Sequence, residues 1–457
     1  MALGVLLSNA GMPADLKRAL NQLDHSNLTR FHLELVVLSG IPWMWVSIAI
    51  GIIGFILPSL EAAFPWTSSQ LGLLVSAGLL GFLLGAILTG RWTDRFGRKT
   101  MMLLATAGVG LSLMASGLAW NFTSLVLLRV ATGFCSGAVM PVTNALVSEY
   151  SPARFRGRVV ILLSGFWGLG GIVAALIGYL LAPALGWRPP LLVGGLILLI
   201  LPLLQRRLPR SLRFLMEAGR FEEARRQFSQ LENRLAVPAG LVESQASEGG
   251  VERAADSIWT SRYVRPAALL SIIWFTLNFA FYGVFVWLPS VLVYGGLPLS
   301  ESLRFTLLIN LAQLPGSLSA AFLADWVGRR LSMGAFLAFY AAALAAFALR
   351  QSPSGILLWG SAFAFFNAAA WGVGYIMTVE RFPTSLRATG LGWTNGIGRS
   401  GGIVAPAIMG VLLESPGASQ WIFFLTAVVL VFAIVPCTLV GGEAKGRSLE
   451  EITGSLG

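Results

Sequence analysis

Long apolar runs alternate with short polar breaks along the chain. A helix that crosses a bilayer needs about 20 mostly apolar residues. Twelve stretches reach that length: 34–59, 69–90, 100–120, 122–147, 159–184, 189–205, 266–294, 305–323, 331–349, 354–379, 388–413 and 419–440. Backbone groups in hydrocarbon must bond within their own segment, so each run predicts a helix unless the chain closes into a barrel. Barrel strands alternate with period two over about ten residues. Runs such as Leu196–Leu204 do not alternate, which rejects the barrel. The one long break, 206–263, is different in kind. Leu208–Leu215 is basic and amphipathic, and Glu222 and Arg226 stand four apart, as a helical ion pair would. This part predicts short helices lying on the membrane surface. Residues 236–258, rich in Ser, Gly, Ala and Glu, predict a mobile connection.

Composition narrows the class. Hydrophobic residues make up 56% and charged residues 12% of 457 positions, against about 45–50% and about 25% in soluble domains. A soluble enzyme, a disordered protein and a disulfide scaffold are excluded. The net charge of +11 raises the question of nucleic acid, and its placement answers it. Of the 32 Lys and Arg residues, all but Arg129, Arg188, Arg304, Arg350 and Arg399 fall in the tails and in every second connection. That bias is the positive-inside signal, which expects a multi-pass protein of the plasma membrane with both termini in the cytoplasm. The two cysteines, Cys135 and Cys437, fall inside the fourth and twelfth spans. No disulfide framework, metal site or cofactor is expected. No apolar core precedes a cleavage site in the first 30 residues, so no cleavable signal is expected.

The chain also repeats itself. A single gap-free offset of 231 residues maps Leu57-Pro58-Ser59 onto Leu288-Pro289-Ser290, Gly85 onto Gly316 and Asp94 onto Asp325. The same offset maps Gly97-Arg98 onto Gly328-Arg329, Glu149 onto Glu380 and Arg156 onto Arg387. The basic motifs of both copies must face one side, so each copy holds an even number of spans, and six fits. The expected architecture is an all-α integral membrane fold of twelve transmembrane helices in two parallel six-helix repeats. Its parts are a tail 1–33, a first half 34–205, a central loop 206–263, a second half 264–440 and a tail 441–457. In such a plan the substrate binds near the midplane, between the halves.

Gly90-Arg91-Trp92-Thr93-Asp94-Arg95-Phe96-Gly97-Arg98-Lys99 resembles the signature loop of the major facilitator superfamily, and Ala321–Arg330 its weaker second copy. The fourth span reads Arg129-x3-Gly133-x3-Gly137-x3-Pro141 and ends in Ser148-Glu149-Tyr150-Ser151-Pro152-Ala153-Arg154-Phe155-Arg156-Gly157. This is similar to the branch that holds sugar porters and metabolite or aromatic-acid symporters. Gly219–Ala224 resembles that branch's central-loop helix, and Glu443–Ile452 its C-terminal tail. The resemblance implies alternating access. It also implies a cytoplasmic gate held by Asp94, Arg95, Arg98, Glu149 and Arg156 in one half and by Asp325, Arg329, Glu380 and Arg387 in the other. Related symporters carry acidic residues in the first span, where this chain has Val46 and Ala49, so the route of proton coupling stays open between Glu149, Glu61 and the substrate's own proton.

No Asp or Glu falls in the middle of a span, whereas Arg129 and Arg399 do. A charge there costs about 2.5–3.5 kcal/mol on insertion scales and normally faces an internal cavity. Two arginines without a mid-membrane acid predict attraction for an anion, and the planar guanidinium suits a carboxylate. The alternative is that each arginine bonds backbone carbonyls or a helix-end glutamate. Asn144, Asn278, Tyr282, Asn367, Trp371 and Asn395 are the further candidates for the substrate site; each amide may equally bond a neighbouring helix. The reading is a carrier of a small organic anion, acting as a monomer with protons as a candidate second partner. A sugar or polyol porter, a drug efflux antiporter and a transporter-like sensor are the alternatives. No nucleophile–base pair points to an enzyme, and no phosphate loop points to ATP.

Overall fold

In a computed structural model of the chain, the described residues are 13, 15–16, 22–23, 26–152, 154–235, 258–349, 352–382, 386–415 and 417–440. Among them are twelve helical segments long and apolar enough to cross a membrane, one for each run. In chain order they are α1 (Arg30–Ala63), α2 (Ser68–Phe96), α3 (Arg98–Gly117), α4 (Phe122–Tyr150) and α5 (Arg156–Leu185). The sixth span is α6 (Arg188–Val193), a 3-10 segment (Gly194–Ile200) and α7 (Leu201–Arg207). The central loop carries α8 (Leu212–Glu217) and α9 (Phe221–Leu235). The second half holds α10 (Ser261–Phe285), α11 (Leu288–Tyr294), α12 (Leu299–Leu311), α13 (Gln313–Val327), α14 (Arg329–Ala348), α15 (Pro353–Arg381), α16 (Arg387–Leu413) and α17 (Ser419–Leu439).

Three spans expected to be continuous are broken. The seventh, expected over 266–294, stops at Phe285 and restarts as α11 with Pro289 in its first turn. Proline lacks the N–H that would continue the helix and disfavours helical backbone before it. The eighth divides at Ala312, between Asn310 and Gln313, whose side chains bond each other at 2.7 Å. The sixth tightens around Gly194 and Gly195, which lie against Leu113 and Met114 of α3. In the central loop Glu222 pairs with Arg225, one residue before the expected Arg226, at 2.5 Å. The connection expected over 236–258 and the tail 441–457 lie outside the described residues, apart from Ile258.

The chain divides into two compact units. One comprises residues within 1–49, 81–171 and 191–249; the other comprises residues within 50–80, 172–190 and 250–457. In the first, α2 and α4 meet through glycine. A Cβ on Gly81 or Gly85 would strike the carbonyl of Val130 or Phe134, and one on Gly137 that of Phe82. Such faces let backbones approach without side chains between them. The helices α8 and α9 dock through Leu212, Leu215, Met216, Ala224 and Leu231 onto Phe31, Leu35, Val147 and Tyr150. In the second unit α10 packs along α16, with Gly398, Gly401 and Gly402 against Trp274, Phe275 and Tyr282.

The 231-residue offset recurs in the geometry. Gly85 abuts the Phe134 carbonyl as Gly316 abuts that of Phe365. Gly170 abuts the Met44 carbonyl as Gly401 abuts that of Phe275. The α2–α3 turn rests on Gly97 with φ 87°, and the α13–α14 turn on Gly328 with φ 103°. Both angles lie in the left-handed region that only glycine enters freely.

Candidate functional site

In each unit the expected gate residues fall at the helix ends that carry its glycine turn, called here the basic end of that unit. Arg98 Nε pairs with Glu149 at 2.8 Å, and Arg329 Nη2 with Glu380 at 3.1 Å. These are equivalent pairs, 231 residues apart, and all four side chains are largely buried. The Glu149 carboxylate also accepts the Ser211 hydroxyl of the central loop. Arg156 donates to the carbonyls of Ser148 and Ser151, at 3.0 and 3.4 Å. Asp94 and Arg95 are exposed, and the Arg95 guanidinium lies over the Phe96 ring. The side chains of Asp325 and Arg387 lie outside the described ones.

At the opposite, far end, the second unit joins helices from both repeats. The Tyr294 hydroxyl that ends α11 donates to both carboxylate oxygens of Glu61 in α1, at 2.6 Å each. It also bonds Ser68 of α2 at 3.3 Å. Glu414, just past α16, accepts the Ser69 N–H at 3.4 Å, and bonds from Ser69 and Thr67 hold its carboxyl below the usual range. Glycine again sets the approach. Gly410 abuts the Ser68 carbonyl, Gly72 the Pro406 carbonyl, and Gly54 the backbone of Val286. Trp287 Nε1 donates to that same Pro406 carbonyl at 3.2 Å. The first and second repeats are thus in direct backbone contact at this end.

Of the candidate substrate residues, Arg129 and Asn144 lie in the first unit. Arg129 is 3% exposed; its Nη2 donates to the Ala49 carbonyl at 2.9 Å, while Nε and Nη1 have no hydrogen-bond partner among the described residues. A buried charge with donors unmet is expensive. The α1 position where related symporters hold an acid thus offers only a backbone oxygen to this arginine. The amide oxygen of half-buried Asn144 also has no partner among the described residues.

The other six candidates lie in the second unit. Trp274 is the hub: its ring meets that of Trp371 at 5.2 Å and that of Tyr375 at 4.7 Å, both edge to face. Phe281 meets Trp371 at 6.0 Å and Tyr282 at 5.0 Å. The Arg399 guanidinium acts electrostatically on the phenols of both Tyr282 and Tyr375. Along α15, Asn367 and Trp371 stand one turn apart. The Asn367 amide oxygen and Trp371 Nε1 are buried without partners among the described residues. Asn278 is different: its amide donates to the Trp274 carbonyl at 2.8 Å, within its own helix. Asn395 is half-buried on α16, one turn before Arg399.

Sequence reasoning missed Trp274. It is fully buried, and its Nε1 donates to Thr378 at 3.0 Å. The signal was present, since Trp274, Asn278 and Tyr282 repeat every fourth residue on one face of α10.

Twelve spans, a duplicated six-helix plan and paired acid–base braces at equivalent positions define a membrane transporter of the major facilitator superfamily. Residues 23–455 match the family model described as sugar (and other) transporter, and the chain belongs to that family. Among relatives, the niacin transporter NiaP of Acinetobacter baylyi is 34% identical over 435 residues, covering 94% of this chain and 99% of its own. The gallate transporter of Pseudomonas putida is 30% identical over 459 residues, covering 96% and 98%. The structure of the xylose transporter XylE from E. coli in its inward-open conformation superposes with a TM-score of 0.72 at 18% identity, covering 93% of this chain and 99% of that one, and shows the shared fold.

Proposed function

We propose that the protein carries a small aromatic carboxylate across the plasma membrane by alternating access, with its basic end and both termini in the cytoplasm. The observation that carries this reading is the aromatic cluster of α10 and α15, which holds a donor and an acceptor unpartnered among the described residues, with Arg399 of α16 acting electrostatically on two of its phenols. Each part has a task. The Arg399 guanidinium takes the carboxylate through paired charge-assisted bonds. Trp274, Trp371 and Phe281 pack the substrate ring edge to face, worth about 0.5–1.5 kcal/mol per pair beyond burial. Trp371 Nε1 donates to an acceptor on the ring, and the Asn367 oxygen accepts from a ring hydroxyl. Tyr282 and Asn395 border the carboxylate side, and Asn278 fixes the Trp274 helix face. Arg129 and Asn144 supply a second anion-attracting position in the first half. Two relatives named for niacin and gallate support the reading, since each of those compounds is one aromatic ring with a carboxyl group.

The halves 34–205 and 264–440 act as the two moving bundles. The Arg98–Glu149 and Arg329–Glu380 pairs, with Asp94, Arg95, Arg156, Asp325 and Arg387, brace the cytoplasmic end. The protein works as a monomer and performs no covalent chemistry. Uptake under an imposed pH gradient separates proton symport from facilitated passage.

The direct test is a thermal-shift series on purified protein. Aromatic carboxylates at 100 times their dissociation constants should add about 2.7 kcal/mol of apparent stability. Their uncharged amides should add far less, and Arg399→Ala should abolish the difference between acid and amide. Equal stabilisation by acid and amide, or by sugars alone, sinks the proposal.

A further inference from the structure

At the basic end, α3 starts directly after the left-handed Gly97, and no side chain caps its first turn. The leading N–H groups of a helix lack intrahelical acceptors and carry the positive end of its dipole. Over this turn lies a cavity of about 400 Å³, within the size range of small-ligand sites. Four cationic side chains line it: Arg98 and Lys99 from α3, and Arg210 and Arg220 from the central loop. Among the described residues, Glu149 and Glu223 are the acids paired with them. Glu149 pairs with Arg98, and the single carboxylate of Glu223 serves both Arg210 and Arg220, at 2.7 Å from each. Neither glutamate lines the cavity. Lys99 is fixed in place, its Nζ donating to the carbonyls of Gln205 and Leu208 at 2.6 and 2.7 Å, which leaves its third N–H. Arg210 stands close enough to repel it. An anion set between them turns that repulsion into attraction.

The chemistry fits a phosphate group, and the apolar wall indicates its source. Phe96 and Leu104 line the same cavity and are 52% and 59% exposed. Leu104 lies six residues into a spanning helix, about 9 Å from its start, where exposure means contact with lipid. A free phosphate has no use for such a wall, whereas acyl chains continue along it.

We propose that this cavity holds the phosphate of an anionic phospholipid headgroup, clamping the central-loop helices to α3. The test uses the full-length protein in detergent, with native mass spectrometry and thermal unfolding as readouts. Mixed micelles with phosphatidylglycerol are compared with phosphatidylcholine and with inorganic phosphate alone. Phosphatidylglycerol should bind and raise the unfolding temperature, and phosphatidylcholine should not. The double variant Arg210→Gln/Arg220→Gln should bind phosphatidylglycerol about tenfold or more weakly, because each lost bond is to a charged group. Arg213→Gln, which does not line the cavity, should bind as the wild type does. If the double variant unfolds, Arg210→Lys/Arg220→Lys keeps the charge and should retain most of the binding. Wild-type affinity in a folded double variant, or equal binding of phosphatidylcholine, overturns the proposal. Stabilisation by millimolar inorganic phosphate that also displaces phosphatidylglycerol keeps the phosphate site but overturns the lipid as its source.

Discussion

Arg129 and Arg399 break the internal symmetry of the chain. Their equivalents at the 231-residue offset are Gly360 and Gly168. A Cβ on Gly168 would meet nothing within 4 Å. The scaffold glycines behave in the opposite way, since Gly85 and Gly316 share the same carbonyl contact. Two predictions belong at this scale. Arg129→Met keeps most of the volume of the side chain and removes a buried charge with donors unmet among the described residues. Replacing such groups with apolar ones of similar volume is often neutral or stabilising. The unfolding temperature should hold or rise while uptake falls at least about tenfold, as expected when a charge contact of about 2–5 kcal/mol is lost. A variant that unfolds instead would mark Arg129 as structural. Gly85→Ala and Gly316→Ala should each cost about 1–3 kcal/mol by forcing packed backbones apart, whereas Gly168→Ala should leave stability unchanged. Thermal unfolding of the three variants side by side checks this.

The breaks within spans matter more to the helices than their lengths do. The interruption between α10 and α11 frees Trp287 to reach the Pro406 carbonyl and turns Tyr294 toward Glu61 and Ser68. Tyr294→Phe keeps the ring and deletes these bonds, each worth about 0.5–1.5 kcal/mol. The far end should then open more often. A cysteine placed at Val286, which is buried against Gly54, should react faster with an impermeant thiol reagent in the Tyr294→Phe background; an unchanged rate shows that the Tyr294 bonds do not hold this end closed. Acid should act in the same direction through Glu414. A carboxyl held below its unfolded value stabilises the fold above that value and loses the effect as pH falls through the folded one. Labelling at Val286, taken relative to a solvent-exposed cysteine so that the loss of thiolate cancels, should therefore accelerate only as pH drops below about 4.5, the ordinary glutamate value. Hydropathy hid these breaks, because the apolar runs are continuous across them; Pro289 marked one of them in the sequence. In a uniformly apolar run, hydropathy does not separate a helix from its interruption, nor a lipid-facing residue from one facing protein. Trp274 was hidden for the same reason, as one of 15 tryptophans. What was legible came from positions that a bilayer penalises: the twelve runs, the charged ends and the two mid-span arginines.

For the molecule as a whole, the matched braces make a test of the repeat. Arg98→Gln and Arg329→Gln each remove the paired cation from a largely buried glutamate, Glu149 or Glu380. Leaving a buried partner unsatisfied costs about 1–3 kcal/mol. The two variants should fall in unfolding temperature by similar amounts, and each glutamate-to-glutamine partner change should recover part of the loss. A large difference between the halves would show that the braces have diverged in role. The repeat itself was readable because no insertion interrupts it; the pairing of Arg98 with Glu149 rather than Asp94 was not, since three nearby cations and two acids leave the choice to geometry.

The glycine-to-carbonyl contacts kept in both copies, beside arginines kept in only one, bear on how such carriers diversify. A duplicated gene began with identical halves. Here the joints at Gly85 and Gly170 recur at Gly316 and Gly401, while neither mid-span arginine does. New specificities can therefore be sought in libraries that randomise α10, α15 and α16 alone, with every joint glycine left untouched.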